Sequence, residues 1–147
     1  MTVTSPLPLV GLRVIDSTDE RGEFCSRILA DLGADVIRTE PSGGSSSRCL
    51  PPLAADGTSL WFATRNANKR GVTLDVLDPA DHDRLHELLA GADVWIESNR
   101  PGELAAAGLS PADIVAAHPH LVITSITDFG QSSLGGGSGD MAGENNG

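Results

Sequence analysis

Tyrosine is absent from this 147-residue chain, and other aromatic residues are scarce, with three phenylalanines and two tryptophans. A core so poor in rings must be filled by valine, leucine, isoleucine and alanine, the usual filling of parallel sheets covered by helices. Cysteine is nearly absent as well. Cys25 and Cys49 make no CxxC motif and no Cys/His pairing at metal-ligand spacing, so no zinc site is indicated. Both read as free thiols in a reducing compartment. No apolar run approaches the roughly 20 residues that cross a bilayer. Met1 to Pro8 lacks the charged and apolar regions of a secretion signal, so a cytoplasmic protein with no membrane partner is expected. Positive charge is in short supply: 10 Lys and Arg face 20 Asp and Glu, a formal net charge of −10. Such a balance repels a phosphate backbone and excludes a general nucleic-acid binder. A small phosphorylated ligand held by two or three local cations stays open. No GxGxxG follows the first apolar run, which excludes a free-standing dinucleotide dehydrogenase.

What is present is an alternation of strands and helices. Leu12 to Asp16 reads as a first strand, and Ser17-Thr18-Asp19 offers N-cap side chains for the helix that follows. Phe24, Ile28, Leu29 and Leu32 recur at helical spacing, and Gly33 ends the helix as a C-cap. Ala34 to Glu40 is a second strand, so one strand–helix–strand crossover closes within about thirty residues, the length that makes strands parallel. Pro41 to Ala55 is a Ser, Gly and Pro loop. Ser59 to Ala63 is a short helix or strand. Gly71 to Val76 alternates with β-branched residues, as strands do. Asp78-Pro79 then starts a helix with a cap and a first-turn proline. Leu85, Leu88 and Leu89 give it an apolar face, and Gly91 ends it. Asp93 to Glu97 is a strand, Arg100-Pro101-Gly102 leads into a short Ala-rich helix, Ser110-Pro111 opens another through Ala117, and Leu121 to Ile126 is the last strand. This order predicts an α/β fold: a Rossmann-like, doubly wound, mainly parallel sheet with helices on both faces. The domain is expected over residues 1–131. Residues 132–147, rich in Gly and Ser, read as a tail or linker. No helix follows to cover the last strand, so a truncated protein, or a subunit needing a partner, is expected.

The segments fall in a familiar sequence. Gly11 to Asp16 runs on to Leu29-Ala30-Asp31-Leu32-Gly33-Ala34-Asp35-Val36-Ile37-Arg38-Thr39-Glu40-Pro41. Asn66 to Asp75 follows, then Ala92-Asp93-Val94-Trp95-Ile96-Glu97-Ser98-Asn99-Arg100-Pro101-Gly102. Gly108-Leu109, His118 to Val122 and Ser125 to Gln131 complete the series. Over residues 9–131 the chain resembles the class III CoA-transferases, the family of formyl-CoA transferase, carnitine CoA-transferase and α-methylacyl-CoA racemase. The resemblance implies longer chains that form interlocked dimers, with coenzyme A lying near the carboxyl ends of the strands, as ligands on open parallel sheets do. It implies an acyl-CoA and a carboxylic acid as substrates. Transferases of the family use an aspartate that becomes a mixed anhydride and then an aspartyl-CoA thioester, which is nucleophilic catalysis by a carboxylate. Racemases instead move a proton alpha to the thioester, and no histidine stands in the expected region here.

Carried over residue by residue, the resemblance puts the first CoA-contacting turn on Glu20-Arg21, where Gly22 is kept but the family's following proline is Glu23. The CoA-lining stretch falls on Leu74, Asp75, Val76 and Leu77. Lys69 and Arg70 become either phosphate contacts or an exposed surface pair. Ser98, Asn99 and Arg100 form a turn at a strand's carboxyl end, with Arg100 the best single candidate for phosphate. Thr127, Asp128, Phe129 and Gly130 match the turn near the thioester, where glycine lets the backbone approach. Two arginines of other members are Pro41 and Ala106 here; Arg48 or Arg38 could replace the first, although Arg38 also reads as a surface residue at a strand end. Gly139-Asp140-Met141 has the local look of the nucleophile segment but comes early, so Asp140 is either the catalytic aspartate or a linker residue. His82, His86, His118 and His120 read as solvated or structural. An enzyme part and a noncatalytic CoA-binding or scaffold subunit, in a homodimer or paired with an active homologue, are the two expectations.

Overall fold

The computed structural model describes residues 6–131. Five strands form one sheet: β1 (Arg13–Ser17), β2 (Asp35–Glu40), β3 (Arg70–Thr73), β4 (Val94–Glu97) and β5 (Val122–Ser125). Their order is β3-β2-β1-β4-β5, and every pairing is parallel. The helices are α1 (Glu23–Asp31), α2 (Leu60–Asn66), α3 (His82–Ala90), α4 (Glu103–Ala106) and α5 (Pro111–Ala117). The α/β expectation holds. Successive strands step outward from β1 to β3, and the chain then returns to lay β4 on the other side of β1. The order therefore reverses between β1 and β4, the topological switch at which open sheets of this kind leave a crevice. Among the described residues no helix is long and apolar enough to cross a membrane.

Strand residues alternate between two cores because their side chains point to opposite faces. Ile15 and Trp95 join Leu74, Leu85, Leu89, Leu104, Leu109, Ile114 and Leu121 on one face, under α3, α4 and α5. Val14, Val36 and Ile96 join Ala30 and Ala34 on the other, under α1. The first face is the thicker, and Trp95 is fully buried in it. Its indole N–H still finds a partner, donating to Ser17 Oγ at 2.9 Å.

Two helix expectations need correction. Ser17-Thr18-Asp19 does not cap α1 with a side chain; Gly22 holds the N-cap position, and the Gly22 and Glu23 amides bond to the Asp19 carbonyl. The apolar row of α1 also faces outward. Phe24 is 57% exposed and Ile28 and Leu32 are exposed too, while Glu23, Ser26 and Ala30 are buried. The sheet beneath α1 carries Asp16 and Arg38, both buried, and buried charges demand polar partners. Only Leu29 of the predicted row packs against that core. Cys25 and Cys49 are free and exposed.

Candidate ligand-binding cleft

Beyond the carboxyl ends of the strands lies a cleft of about 450 Å³. Strand β1 supplies Ser17 to its floor, Thr18 follows directly after the strand, β2 supplies Thr39, and the loop after β2 supplies Pro41 and Ser45. Strand β3 ends at Thr73, and the chain then leaves the ladder after one more bond, from the Leu74 amide to the Glu40 carbonyl at 2.7 Å. That early departure carries Leu74, Asp75, Val76 and Leu77 across as one wall. Ser98, Asn99, Arg100 and Glu103, after β4, form the opposite wall. A smaller hollow of about 270 Å³ adjoins it, lined by Pro101, Thr127, Asp128, Phe129 and Gly130. Arg21 and Arg100 line both spaces. The two spaces thus read as one trough running across the sheet's edge.

Compactness at the first turn comes from Gly22. Its φ is an unremarkable −103°, yet a Cβ there would stand 2.7 Å from Thr18 Cβ and 3.2 Å from Ile126 Cδ1. The missing side chain lets the turn fold down onto β1. Arg21 is then fixed by Asp19, which accepts from Nε at 2.9 Å and from Nη2 at 2.6 Å, and by the Ser98 carbonyl at 2.7 Å. Burial works against ionisation of Asp19, but the side-chain and backbone hydrogen bonds of Arg21 outweigh it and hold the carboxyl below its ordinary range. Arg21 also lies 3.5 Å from Asp128. Its charge is spoken for.

Arg100 is different. Its backbone N–H donates to Glu103 Oε2 at 2.8 Å, which turns the chain into α4. Among the described residues its guanidinium makes no ion pair, whereas Arg13, Arg21, Arg27, Arg38, Arg48, Arg70 and Arg84 all do. Arg65 also lacks one, but it stacks on the Trp61 ring at 3.4 Å, outside the cleft. Arg100 is therefore the cleft's uncommitted cation. The turn before it is held by Glu97, fully buried, whose Oε2 accepts from the Asn99 amide at 2.7 Å and its Nδ2 at 3.0 Å.

Other expected contacts lie elsewhere. Lys69 points inward rather than at a ligand: its ammonium donates to Asp16 Oδ2, to the Glu23 carbonyl and to Asn66 Oδ1, each at 2.8 Å. Burial, working against Asp16's attraction, holds its pKa below the ordinary value. Arg70 begins β3, at the amino end of the strands and away from the cleft, and forks onto Asp35 at 2.9 and 2.7 Å. Glu20 is exposed and accepts from Ser46 Oγ at 3.3 Å, outside the cleft lining. Arg38 is no surface residue. It is 2% exposed, bonded to Glu23 Oε1 at 2.7 Å and 3.4 Å from both Asp16 and Glu40. Asp140 falls outside the described residues. Ser17, Thr18, Asp19, Thr39, Ser45 and Glu103 were missed as lining residues in the sequence; Ser17, a polar residue closing a parallel strand, carried the signal for such a position, whereas Ser45 lies in the loop beyond β2. Among the described residues no group of three or more His, Cys, Asp or Glu is placed to hold a metal ion.

Known proteins are similar to this chain in sequence and in fold. The model of CoA-transferase family III matches residues 9–143. A probable CoA-transferase of Mycobacterium tuberculosis is 48% identical over 108 residues, 74% of this chain and 14% of that protein. The mouse succinyl-CoA:glutarate CoA-transferase is 37% identical over 85% of this chain and 29% of its own length. The beta subunit of a succinyl-CoA–L-malate CoA-transferase from Chloroflexus aurantiacus is 37% identical over 88% and 32%. A solved CAIB/BAIF family protein from Brucella suis superposes with a TM-score of 0.79 and 33% identity, over 87% of this chain and 35% of that one. The chain thus spans about a third or less of the curated relatives it matches.

Proposed function

Because the chain belongs to CoA-transferase family III, we propose that its cleft binds coenzyme A as the amino-terminal part of an acyl-CoA:carboxylate CoA-transferase. The observation that carries this reading is Arg100, a guanidinium without an ion pair among the described residues, standing where the cleft meets the smaller hollow. A pyrophosphate there would receive charge-assisted, bidentate hydrogen bonds. The nucleoside would lie along Leu74 to Leu77 and the pantetheine arm would run toward Thr127, Asp128, Phe129 and Gly130. In the complete enzyme CoA would pass between an acyl-CoA and a carboxylic acid through an aspartyl thioester, with Asp140 the candidate nucleophile.

A second reading, a noncatalytic CoA-binding subunit paired with a homologue, is favoured by relatives whose names specify a beta subunit and a subunit BbsE. Pro41 and Ala106, standing where other members have arginines, point the same way.

Calorimetric titration with CoA tests the shared part. The parent is expected to bind, and Arg100→Ala to bind at least about tenfold more weakly, since a hydrogen bond to a charged group contributes roughly 1.5–3 kcal/mol. No heat with a folded parent would remove the reading. Incubation with acyl-CoA and an acceptor acid, followed by hydroxylamine, separates the two versions: an adduct lost in Asp140→Ala marks the enzyme, and no adduct marks the subunit.

A further inference from the structure

Lys69 and Asp16 are 53 residues apart in sequence, yet they meet beneath the cleft at 2.8 Å with almost no access to water. Neither lines the cleft. The approach is built deliberately. Asn68, which turns the chain out of α2, has a φ of +64°, and its Nδ2 donates to Asp31 Oδ1 at 2.7 Å. Asparagine is among the few residues that tolerate this left-handed conformation, and the turn aims the next side chain under α1. There Lys69 finds three oxygen acceptors, one for each of its protons.

Asp16 divides its two oxygens between different tasks. Oδ2 receives Lys69, Ser26 Oγ at 2.7 Å and Arg38 Nη1 at 3.4 Å, all from the interior. Among the described residues Oδ1 receives only Thr18, its amide at 3.1 Å and its hydroxyl at 2.6 Å. Thr18 lines the cleft and packs against Gly22. A carboxylate clamped on one side by two buried cations thus grips a residue of the cleft floor with the other.

We infer that Asp16, held by Lys69, is a positioning residue that fixes the Thr18–Gly22 turn at the geometry the ligand requires. The inference rests on the reading of the cleft as a CoA site and deepens it: a lysine expected to touch phosphate acts through the floor instead. Three buried or nearly buried partners on Oδ2 stop the carboxylate from rotating, so Thr18 cannot drift by the ångström that would misplace Asp19 and Arg21 behind it.

The test compares two electrically neutral double variants of the 147-residue chain by calorimetry with CoA and by thermal melting. Asp16→Asn with Lys69→Met keeps an oxygen for Thr18 and is expected to retain CoA affinity within about threefold. Asp16→Ala with Lys69→Met removes that oxygen and is expected to bind at least tenfold more weakly, with a melting temperature close to that of the Asn form. Equal affinity in the two would overturn the inference while leaving CoA binding by the parent intact. Absence of CoA binding in the folded parent would overturn the cleft reading and this role with it. If the Ala form does not fold, Thr18→Val, which leaves every buried charge in place, carries the test. A fivefold or greater loss of affinity supports the role, and unchanged affinity overturns it.

Discussion

Gly22 shows how a single residue can be demanded by contact rather than by backbone angle. Its φ suits any amino acid, but a methyl group there would press on Thr18 Cβ at 2.7 Å. That atom belongs to a residue pinned by Asp16 through two hydrogen bonds, so it cannot swing aside. Gly22→Ala should therefore cost about 1–3 kcal/mol, the usual range for overpacking. Urea denaturation measures it, and a change below about 0.5 kcal/mol would show the turn to be soft. This position was legible because the resemblance marks it. Lys69 was not, since adjacent lysine and arginine in an acidic chain look like a phosphate site until the positive-φ turn at Asn68 is seen to send one of them inward. Arg100 was readable for the opposite reason. It lies in the turn just past the end of β4, and among the described residues no acidic side chain pairs with its guanidinium.

At the scale of elements, α1 inverts the ordinary rule that the apolar face of a helix is buried. The positions of the strands and their parallel sense were legible from alternation, from crossover length and from Gly33 and Gly91, which end helices as expected. The orientation of α1 was not, because Phe24, Ile28 and Leu32 recur at the spacing of a core face. What overrides them is Arg38, which the sheet presents to α1 with only 2% exposure and which needs the Glu23 carboxylate at 2.7 Å. Substitutions should follow the observed orientation. Glu23→Ala would remove the shortest carboxylate contact of the buried Arg38 guanidinium, leaving Asp16 and Glu40 at 3.4 Å, and is expected to cost about 3 kcal/mol, while Phe24→Gln should stay within about 0.5 kcal/mol. The reverse ranking in chemical denaturation would mean that α1 is turned over. A second element contact makes a pH prediction. His86 on α3 and His118 at the end of α5 share a hydrogen bond, Nδ1 to Nε2, at 3.0 Å, and His120 stands edge-on at 6.2 Å between ring centres. Burial, then the charges of His86 and His120, lower the His118 pKa from its ordinary 6.5. The folded state therefore favours neutral His118, and unfolding takes up a proton at mildly acid pH. Its contribution is complete above about pH 6.5 and fades as pH falls. Melting temperatures should drop on that acid limb, and His118→Gln should flatten it; a limb unchanged by that substitution would place the proton uptake elsewhere.

The whole molecule sets a field that opposes its own proposed ligand. A net charge of −10 surrounds a cleft in which, among the described residues, the one uncommitted cation is Arg100, and CoA is itself polyanionic. Contact between Arg100 and a phosphate acts over a few ångströms, inside the screening length at any ordinary salt. Repulsion from the remaining acidic surface acts over longer distances and is cut off as the Debye length shrinks from about 30 Å at 0.01 M to about 8 Å at 0.15 M. Encounter should therefore quicken as salt rises over that interval, because the long-range term that is screened is repulsive. This is the opposite of what a basic phosphate-binding surface shows, where salt weakens attraction. Stopped-flow measurement of CoA association between 0.01 and 0.15 M ionic strength reads the sign directly. A rate that falls with salt would mean that local positive potential extends well beyond Arg100. It would also mean that cations paired in this structure, Arg21 above all, release their carboxylates to meet the ligand.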